Sequence, residues 1–354
     1  MSEARHTRPL AALRRGDSHA FGGKSATLGE LIAAEIPVAP GFAVSTSAFR
    51  AFVREAGLDG RIAAALSRVS PGDVDAVVAA SHSIGEAMRS APVPEIVRDE
   101  IETAYAALAD EAGTPEPPVA VRSSALGEDG EEATFAGQLE SYLWIRGAEH
   151  VGNAVRDCWV SLFGPPAIAY RAHVGQEEPA MGVAVQLMVD AEVSGVLFTC
   201  NPVSGDPSMV AVNASWGLGL AVVGGEVTPD DFLVSKVTGE VVRERVHAKA
   251  VEYVPDPTGR GAVRVVVPEE RQEVACLDGA ALDALVAVGR RVEGVFGARQ
   301  DVEWAIARGR GAPEGLFVLQ SRPVTGLPKR RSPSEADTAM GLVMSMFGAG
   351  DPRA

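Results

Sequence analysis

The sequence is short of lysine, of positive charge and of long apolar runs. Only four lysines are present: Lys24, Lys236, Lys249 and Lys329. Acidic residues outnumber basic ones, and the formal net charge of −15 argues against a nucleic-acid partner or an anionic membrane surface. No run of about 20 apolar residues occurs, so no membrane span is expected.

Cysteine is also scarce. The three cysteines, Cys158, Cys200 and Cys276, are far apart and lack CxxC spacing. This pattern predicts reduced thiols in the core rather than a disulfide framework or a zinc site. The N-terminal segment MSEARHTRPLAALRRG has no apolar stretch of the kind that secretory signals carry, so we expect a cytoplasmic protein. A chain of 354 residues is long enough for roughly two or three domains.

The stretch 119–138, VAVRSSALGEDGEEATFAGQ, carries groups that can hold phosphate. Its alternating apolar start predicts a half-buried strand that ends at Arg122. Ser123 and Ser124 follow, and the small residues of 134–138 would let backbone N–H groups approach a ligand. A guanidinium, hydroxyls and such a turn suit a polyphosphate. A strand ending in a solvated turn with a surface arginine is the alternative.

Lys24 is a second candidate phosphate contact, because it follows two glycines at the start of a predicted helix. The string GGKS is not a P-loop: Ser18 stands where that motif needs glycine, and no buried strand precedes it. A lysine in the first turn of a helix can still reach a phosphate. A solvated lysine is the alternative.

Strand and helix patterns alternate without a regular βαβ period, which predicts an α+β fold with lobes rather than a barrel. Periodicity predicts strands at 40–44, 119–121, 141–145, 181–189, 192–199, 210–212 and 263–267, with a hairpin over 232–246. It predicts helices at 25–36, 46–56, 73–90, 94–112, 151–163, 167–173 and 280–296.

The segment 300–325 predicts a hairpin with polar chemistry on one face. Asp301 and Glu303 alternate with apolar residues and therefore share one face of a strand. If the loop at 308–315 closes symmetrically, Glu303 lies opposite Gln320 and Asp301 opposite Arg322.

These four side chains have a chemical interpretation. Two carboxylates and an amide oxygen are hard donors that suit Mg²⁺ held jointly with substrate phosphates. An adjacent arginine neutralises charge on a transferring phosphoryl group. A surface hairpin with an Asp301–Arg322 salt bridge is the alternative. A dinucleotide-binding motif at 217–219 is rejected, because Val222 stands where a third glycine is needed.

Seven segments together resemble a known family: FGGKSATLGEL, PVAPGFAVS, AVRSSALGED, TFAGQLESYL, VQLMVDAEVSGVLFTCNPVSG, WGLGLAVVGGEVTPD and DVEWAI…LQSRPVT. They are similar, in order, to the N-terminal ATP-grasp region of the phosphoenolpyruvate synthase, pyruvate phosphate dikinase and rifampicin phosphotransferase family. The ATP-binding subunit of phenylphosphate synthase belongs to the same superfamily. The resemblance covers roughly residues 10–327 and implies that ATP binds between two lobes.

The resemblance also implies roles for individual residues. Lys24, Arg122 and Arg322 would contact the phosphates and act in catalysis. The segment 134–138 would form the phosphate loop, and the stretch around 186–189 would meet adenine. The implied nucleotide-binding set is Lys24, Arg122, Thr134, Gly137, Gln138, Gln186, Met188, Val189, Asp301, Glu303, Gln320 and Arg322, with Glu303 and Gln320 as Mg²⁺ ligands.

Two departures from the family pattern stand out. Leu220 replaces the acidic residue of the usual GLGE string, which puts one contact near the nucleotide in doubt. None of the six histidines has the Gly-rich, Ser-His context of the family's phosphohistidine. The resemblance implies that a catalytic histidine takes up the β-phosphate of ATP, releasing AMP and inorganic phosphate. We therefore expect that histidine on a separate partner subunit with a swivelling domain, which passes the phosphoryl group to a small acceptor.

The expected organisation is an N-terminal lobe over 1–190, a C-terminal lobe over 191–328 and a tail over 329–354. The tail begins as a basic linker and ends in a Met-rich apolar stripe at 337–347, which suits either partner docking or packing on this chain. A phenol- or benzyl-alcohol-type acceptor is the first hypothesis. The alternatives are a split phosphoenolpyruvate synthase, an antibiotic phosphotransferase component and a non-catalytic nucleotide-binding module.

Overall fold

The computed structural model describes residues 5–125, 141–174, 179–259 and 261–325. Its first sheet has five antiparallel strands in the order β1-β2-β5-β3-β4. These strands are β1 Thr7–Pro9, β2 Gly41–Val44, β3 Val119–Ala125, β4 Ser141–Ile145 and β5 Met181–Leu187. Strand β3 is buried on both faces at most positions, because helices cover one face and the segment that contains Ser25 packs against the other.

Eight helices of the described residues belong to this part of the chain: α1 Ser18–Phe21, α2 Gly23–Ala33, α3 Thr46–Glu55, α4 Asp59–Leu66, α5 Val74–Ser90, α6 Glu95–Ala112, α7 Ala148–Ser161 and α8 Pro165–Val174. Their starts and stops follow ordinary capping chemistry. Ser45 caps α3 by accepting from Ala48 N, and Asp73 caps α5 in the same way. Gly113 ends α6 with a left-handed conformation.

The core of this first part joins the helices to one face of the sheet. Phe52 stacks on Trp159 with ring centroids 5.3 Å apart, and both side chains are fully buried. Val119, Val121 and the other residues of that face pack against them. Arg122 and Ser124 therefore point to the opposite face of the sheet, because side chains alternate along a strand.

The second sheet has six antiparallel strands in the order β13-β12-β6-β7-β8-β9. They are β6 Ala191–Phe198, β7 Met209–Trp216, β8 Asp230–Ser235, β9 Val241–Arg245, β12 Gln300–Ala307 and β13 Leu316–Pro323. A separate hairpin consists of β10 Val251–Pro255 and β11 Ala262–Val266. The helices here are α9 Leu220–Val223, α10 Glu269–Gln272 and α11 Gly279–Phe296.

Helix α11 packs on one face of this sheet and leaves the other face to the site. Leu285 and Val292 of α11 are buried against Val302 and Trp304 of β12. Gly289 allows close approach, since a Cβ there would lie 2.8 Å from Leu197. Asp301 and Glu303 alternate with these core residues and so project from the face that α11 does not cover.

The α+β class and most predicted elements are confirmed. The register of β12 and β13 pairs Glu303 with Gln320 and Asp301 with Arg322, as symmetric closure predicts. Six described elements were not predicted, because they are short and weakly periodic: helices α1, α4, α9 and α10 and strands β1 and β10. Strand β7 also continues to Trp216, four residues past the predicted end at Val212. None of the described helices is long and apolar enough to cross a membrane.

Candidate functional site

The start of α2 places Lys24 against β3. Gly22, with φ of 82°, precedes the helix, and a Cβ there would lie 1.8 Å from the Ser124 carbonyl oxygen. Only glycine fits this approach, since a side chain would meet both the left-handed conformation and the overlap. Ser124 Oγ accepts from Ser25 N at 3.1 Å. Lys24 is buried, and its Nζ donates to the Ser123 carbonyl at 3.0 Å.

Arg122 projects from β3 to the hairpin of the second sheet. Its NH2 group donates to Glu303 Oε2 at 2.7 Å and to Gln320 Oε1 at 2.9 Å. Its NH1 group donates to the Leu319 carbonyl at 3.0 Å. The structure thus brings together three residues that the sequence proposes as site residues, from strands almost 200 positions apart.

A β-bulge explains why the Leu319 carbonyl is available. The pairing of β12 and β13 shifts between Glu303 and Trp304, because Gln320 faces Glu303 while Val318 faces Trp304. Leu319 is therefore the extra residue of a bulge, and such a residue is left out of the ladder. Sequence analysis missed this contact, since nothing in the sequence marks the bulge.

Asp301 and Arg322 form the second polar pair of the hairpin. Arg322 Nε donates to Asp301 Oδ2 at 2.8 Å. This is the salt bridge that the surface-hairpin interpretation predicts. Asp301 is nonetheless almost completely buried, which distinguishes the pair from an exposed surface bridge.

The pKa values of the two carboxylates, Asp301 and Glu303, are shifted in opposite directions. Burial raises the pKa of Asp301, although Arg322 opposes that shift. Burial alone would also raise the pKa of Glu303, but Arg122, Lys24 and Arg322 together hold the pKa of that carboxyl below its usual value. Neighbouring cations keep Glu303 charged, as a metal ligand requires.

The donor set fits Mg²⁺ in one specific sense. Glu303 Oε2 and Gln320 Oε1 converge on a single Arg122 nitrogen, so a cation already lies between them. No group of three or more His, Cys, Asp or Glu side chains that could hold a metal occurs in the described part of the chain. Mg²⁺ commonly uses one or two protein oxygens and completes its shell with phosphates and water, so two donors are sufficient.

The proposed hinge residues line the junction of the two sheets. Gln186 of β5 is buried, and its side-chain amide donates to the Ala39 carbonyl at 3.2 Å. Met188 N donates to the Pro118 carbonyl at 2.9 Å. Val189 is buried in an apolar cluster with Leu218 and Ala305, and Met188 packs at its edge. This cluster offers the apolar surface that a purine ring needs.

Leu220 and Trp144 belong to the same apolar cluster. Leu220 begins α9 and packs at the edge of the cluster, so an apolar contact stands where the family pattern has a charge. Trp144 has φ of 57°, an uncommon conformation for a bulky residue. Its indole N–H is buried without a hydrogen-bond partner among the described residues. Sequence analysis missed this feature.

Three predicted site residues, Thr134, Gly137 and Gln138, lie outside the described residues, as does the 329–354 tail. The sequence-based predictions for them therefore stay predictions.

Comparison with known proteins identifies the family. A family model described as the AMP/ATP-binding domain of pyruvate phosphate dikinase matches residues 18–341. The chain belongs to this AMP/ATP-binding domain family, and the resemblance drawn from its motifs is confirmed.

Three curated relatives are phosphoenolpyruvate synthases by name. The Methanocaldococcus jannaschii protein, named a probable phosphoenolpyruvate synthase, is 40% identical over 345 residues, which cover 96% of this chain and 28% of its own. The Methanothermobacter thermautotrophicus protein of the same name is 39% identical over 94% of this chain and 48% of its own. The Pyrococcus furiosus phosphoenolpyruvate synthase is 35% identical over 96% of this chain and 46% of its own.

This chain therefore spans less than half the length of these relatives. A crystal structure of a Pyrococcus horikoshii protein aligns over 73% of this chain and 92% of its own, at 15% identity and a TM-score of 0.31. That likeness is too weak to support an argument about the fold.

Proposed function

We propose that this chain is the ATP-binding part of a dikinase-type phosphotransferase, with ATP held between two lobes of an ATP-grasp fold. The lobes correspond to residues 1–190 and 191–328, each built around one sheet, and residues 329–354 form a tail. The observation that carries the proposal is the meeting of Arg122 from the first sheet with Glu303 and Gln320 from the second. A cation and two oxygen donors at the junction of two sheets suit a polyphosphate chain with its metal.

The residues of the proposed site fall into groups with different tasks. Arg122, Arg322 and Lys24 contact the phosphates and stabilise the charge that develops as the phosphoryl group moves. Thr134, Gly137 and Gln138 close the phosphate loop. The hinge, Gln186, Met188 and Val189, meets adenine through the apolar cluster at the sheet junction. Asp301 holds Arg322 in position through the 2.8 Å contact.

Glu303 and Gln320 would hold Mg²⁺, which when bound neutralises phosphate charge and orients the phosphate chain. In the net reaction, the β-phosphoryl group moves to a histidine nitrogen. Both phosphoanhydride bonds break, AMP and inorganic phosphate leave, and water supplies the remaining oxygen. The histidine belongs to a partner subunit that carries a swivelling domain, and a phenol- or benzyl-type alcohol is the acceptor.

The sequence context of this chain's six histidines supports the partner subunit, since none lies in the Gly-rich, Ser-His context of the family's phosphohistidine. Three hydrogen-bonded histidines of the described residues have structural partners: His6 bonds Ser47 Oγ, His173 the Ala169 carbonyl and His247 the Pro229 carbonyl. None of these partners belongs to the hairpin. Acid-labile label from β-³²P-ATP on this chain alone, lost on mutation of one of its six histidines, would overturn the two-protein proposal.

The test of the function is AMP formation, measured with this chain alone and with candidate histidine-bearing partners. We expect ATP binding by the chain alone and AMP release only with the partner. AMP release with pyruvate as acceptor would favour the split phosphoenolpyruvate synthase, and release with an antibiotic the second alternative. ATP binding without turnover on any partner would favour a non-catalytic module, for which Leu220 is the supporting observation.

A further inference from the structure

Arg122 lies where the proposed metal would bind. One nitrogen of its guanidinium contacts both Glu303 Oε2 and Gln320 Oε1, at 2.7 and 2.9 Å. The same side chain is anchored by a 3.0 Å hydrogen bond to the Leu319 carbonyl. The Arg122 side chain is 14% exposed and that of Glu303 is 39% exposed, so the guanidinium lies deeper than the carboxylate.

The guanidinium nitrogen lies at the position from which one divalent cation would contact both oxygens. Each oxygen keeps a further lone pair, but two positive charges a few ångströms apart repel strongly in a partly buried site. Free Mg²⁺ would therefore have to expel Arg122 and leave the guanidinium without its anionic partner. The cost of such an unpaired, partly buried charge opposes metal binding in the absence of nucleotide.

Nucleotide phosphates change this balance. Phosphate oxygens are equivalent acceptors for a guanidinium and pair with it at least as well as a carboxylate does. This inference rests on the proposed function: we propose that Arg122, through this contact, keeps a divalent cation away from Glu303 and Gln320 when no nucleotide is bound. The divalent cation enters only together with the nucleotide, whose phosphates draw Arg122 away from Glu303 and Gln320.

The Arg122 contact also positions the two proposed metal ligands. The guanidinium holds Glu303 and Gln320 together across the β12–β13 ladder. The two donors are thus already paired when the phosphates arrive. Arg122 thus occupies the position of the metal ion: it preserves the geometry of the two donors and excludes the metal.

The test measures Mn²⁺ binding to the full chain without nucleotide. The electron paramagnetic resonance signal of free Mn²⁺ reports how much of the metal is unbound. Wild type should bind Mn²⁺ weakly. Arg122→Met should bind it at least ~10-fold more tightly, because the competing cation is gone. Adding Glu303→Gln to Arg122→Met should remove that gain, which would locate the new site at the hairpin.

Arg243→Met is the matched control. Arg243 is also a guanidinium paired with a carboxylate on the same sheet, through two contacts to Asp231 at 3.0 and 3.1 Å. Asp231 lies three strands from Glu303, through Val196 and Asn213, a separation of about 14 Å at roughly 4.8 Å per strand. Charge removal at that distance is largely screened, so Mn²⁺ affinity should stay within about 2-fold of wild type.

An unchanged or weaker Mn²⁺ affinity in folded Arg122→Met would overturn the proposal. If that variant does not fold, Arg122→Gln decides. A glutamine removes the positive charge but keeps a polar side chain that can still donate a hydrogen bond, so its Mn²⁺ affinity should lie measurably above wild type. An affinity equal to or below wild type would overturn the proposal as well.

Failure of the proposed function would look different. ATP titration of the wild-type chain tests nucleotide binding directly. If wild type binds no ATP but Arg122→Met gains a Mn²⁺ site, the proposed function fails and exclusion of the metal by Arg122 stands. If wild type binds ATP and Arg122→Met gains no site, only exclusion of the metal by Arg122 fails.

Discussion

Lys249→Met should destabilise the folded chain strongly, because it leaves a buried carboxylate without its cation. Lys249 and Asp230 are both fully buried, and Lys249 Nζ lies 2.6 Å from Asp230 Oδ1. Asp230 also accepts from His247 N at 3.0 Å and from Cys276 N at 2.9 Å. The pair thus ties the start of β8 to two other segments. Removal of one partner from a buried ion pair costs about 3–5 kcal/mol.

Lys236→Met is the matched control for this loss. Lys236 lies at the same 2.6 Å from its carboxylate, Glu293, but Glu293 is 27% exposed. Water can hydrate Glu293 after the lysine is removed, so this substitution should cost about 1 kcal/mol. The same chemical change should therefore cost several-fold more at Lys249 than at Lys236, for reasons of burial alone.

The assay is urea unfolding of both variants and of wild type at neutral pH, with ΔΔG taken from the midpoints. A Lys249→Met cost equal to or below that of Lys236→Met would refute the reasoning.

Three further predictions concern the site. Gly22→Ala should cost about 2 kcal/mol or more in thermal unfolding, whereas Gly60→Ala, in open space within α4, should be neutral or stabilising by up to ~1 kcal/mol. The lowered pKa of Glu303, usually 4.5, makes its stabilising contribution complete above about pH 4.5 and lost as pH falls through the folded value. Glu303→Gln should therefore flatten the acid limb of stability in urea titrations, and an unchanged limb would contradict this. Arg322→Ala should lower AMP formation with the partner at least ~10-fold while changing ATP affinity much less; normal turnover would exclude its phosphate role.

Local patterns predicted much of the fold. Period-two alternation identified the strand that carries Arg122, and helical periodicity over 280–296 identified α11. The face shared by Asp301 and Glu303 followed from strand geometry alone. These features depend on residues that are close in sequence, and for that reason sequence patterns predict them.

Contacts between residues that are distant in sequence were not predicted. The Arg122–Glu303 contact joins residues 181 positions apart, and no local pattern encodes such a distance. The bulge at Leu319 depends on a one-residue shift between β12 and β13, although symmetric closure predicted the pairs on its other side. The Asp230–Lys249 pair was missed as well, because sequence alone does not separate a buried lysine from a solvated one.

The position of Arg122 links ligand binding to the joining of the two sheets. Its guanidinium connects β3 of the first sheet to β12 and β13 of the second through three hydrogen bonds. If Arg122 moves onto the phosphates while Glu303 and Gln320 bind the metal, that direct contact is replaced by one through the ligand. The hydrogen bond from Val318 N to the Pro37 carbonyl and the apolar cluster of Val189 and Ala305 also join the two parts of the chain, so the sheets stay joined in either case. The exchange changes only the contribution of Arg122 to the junction, which depends on the ligand once nucleotide and metal are bound.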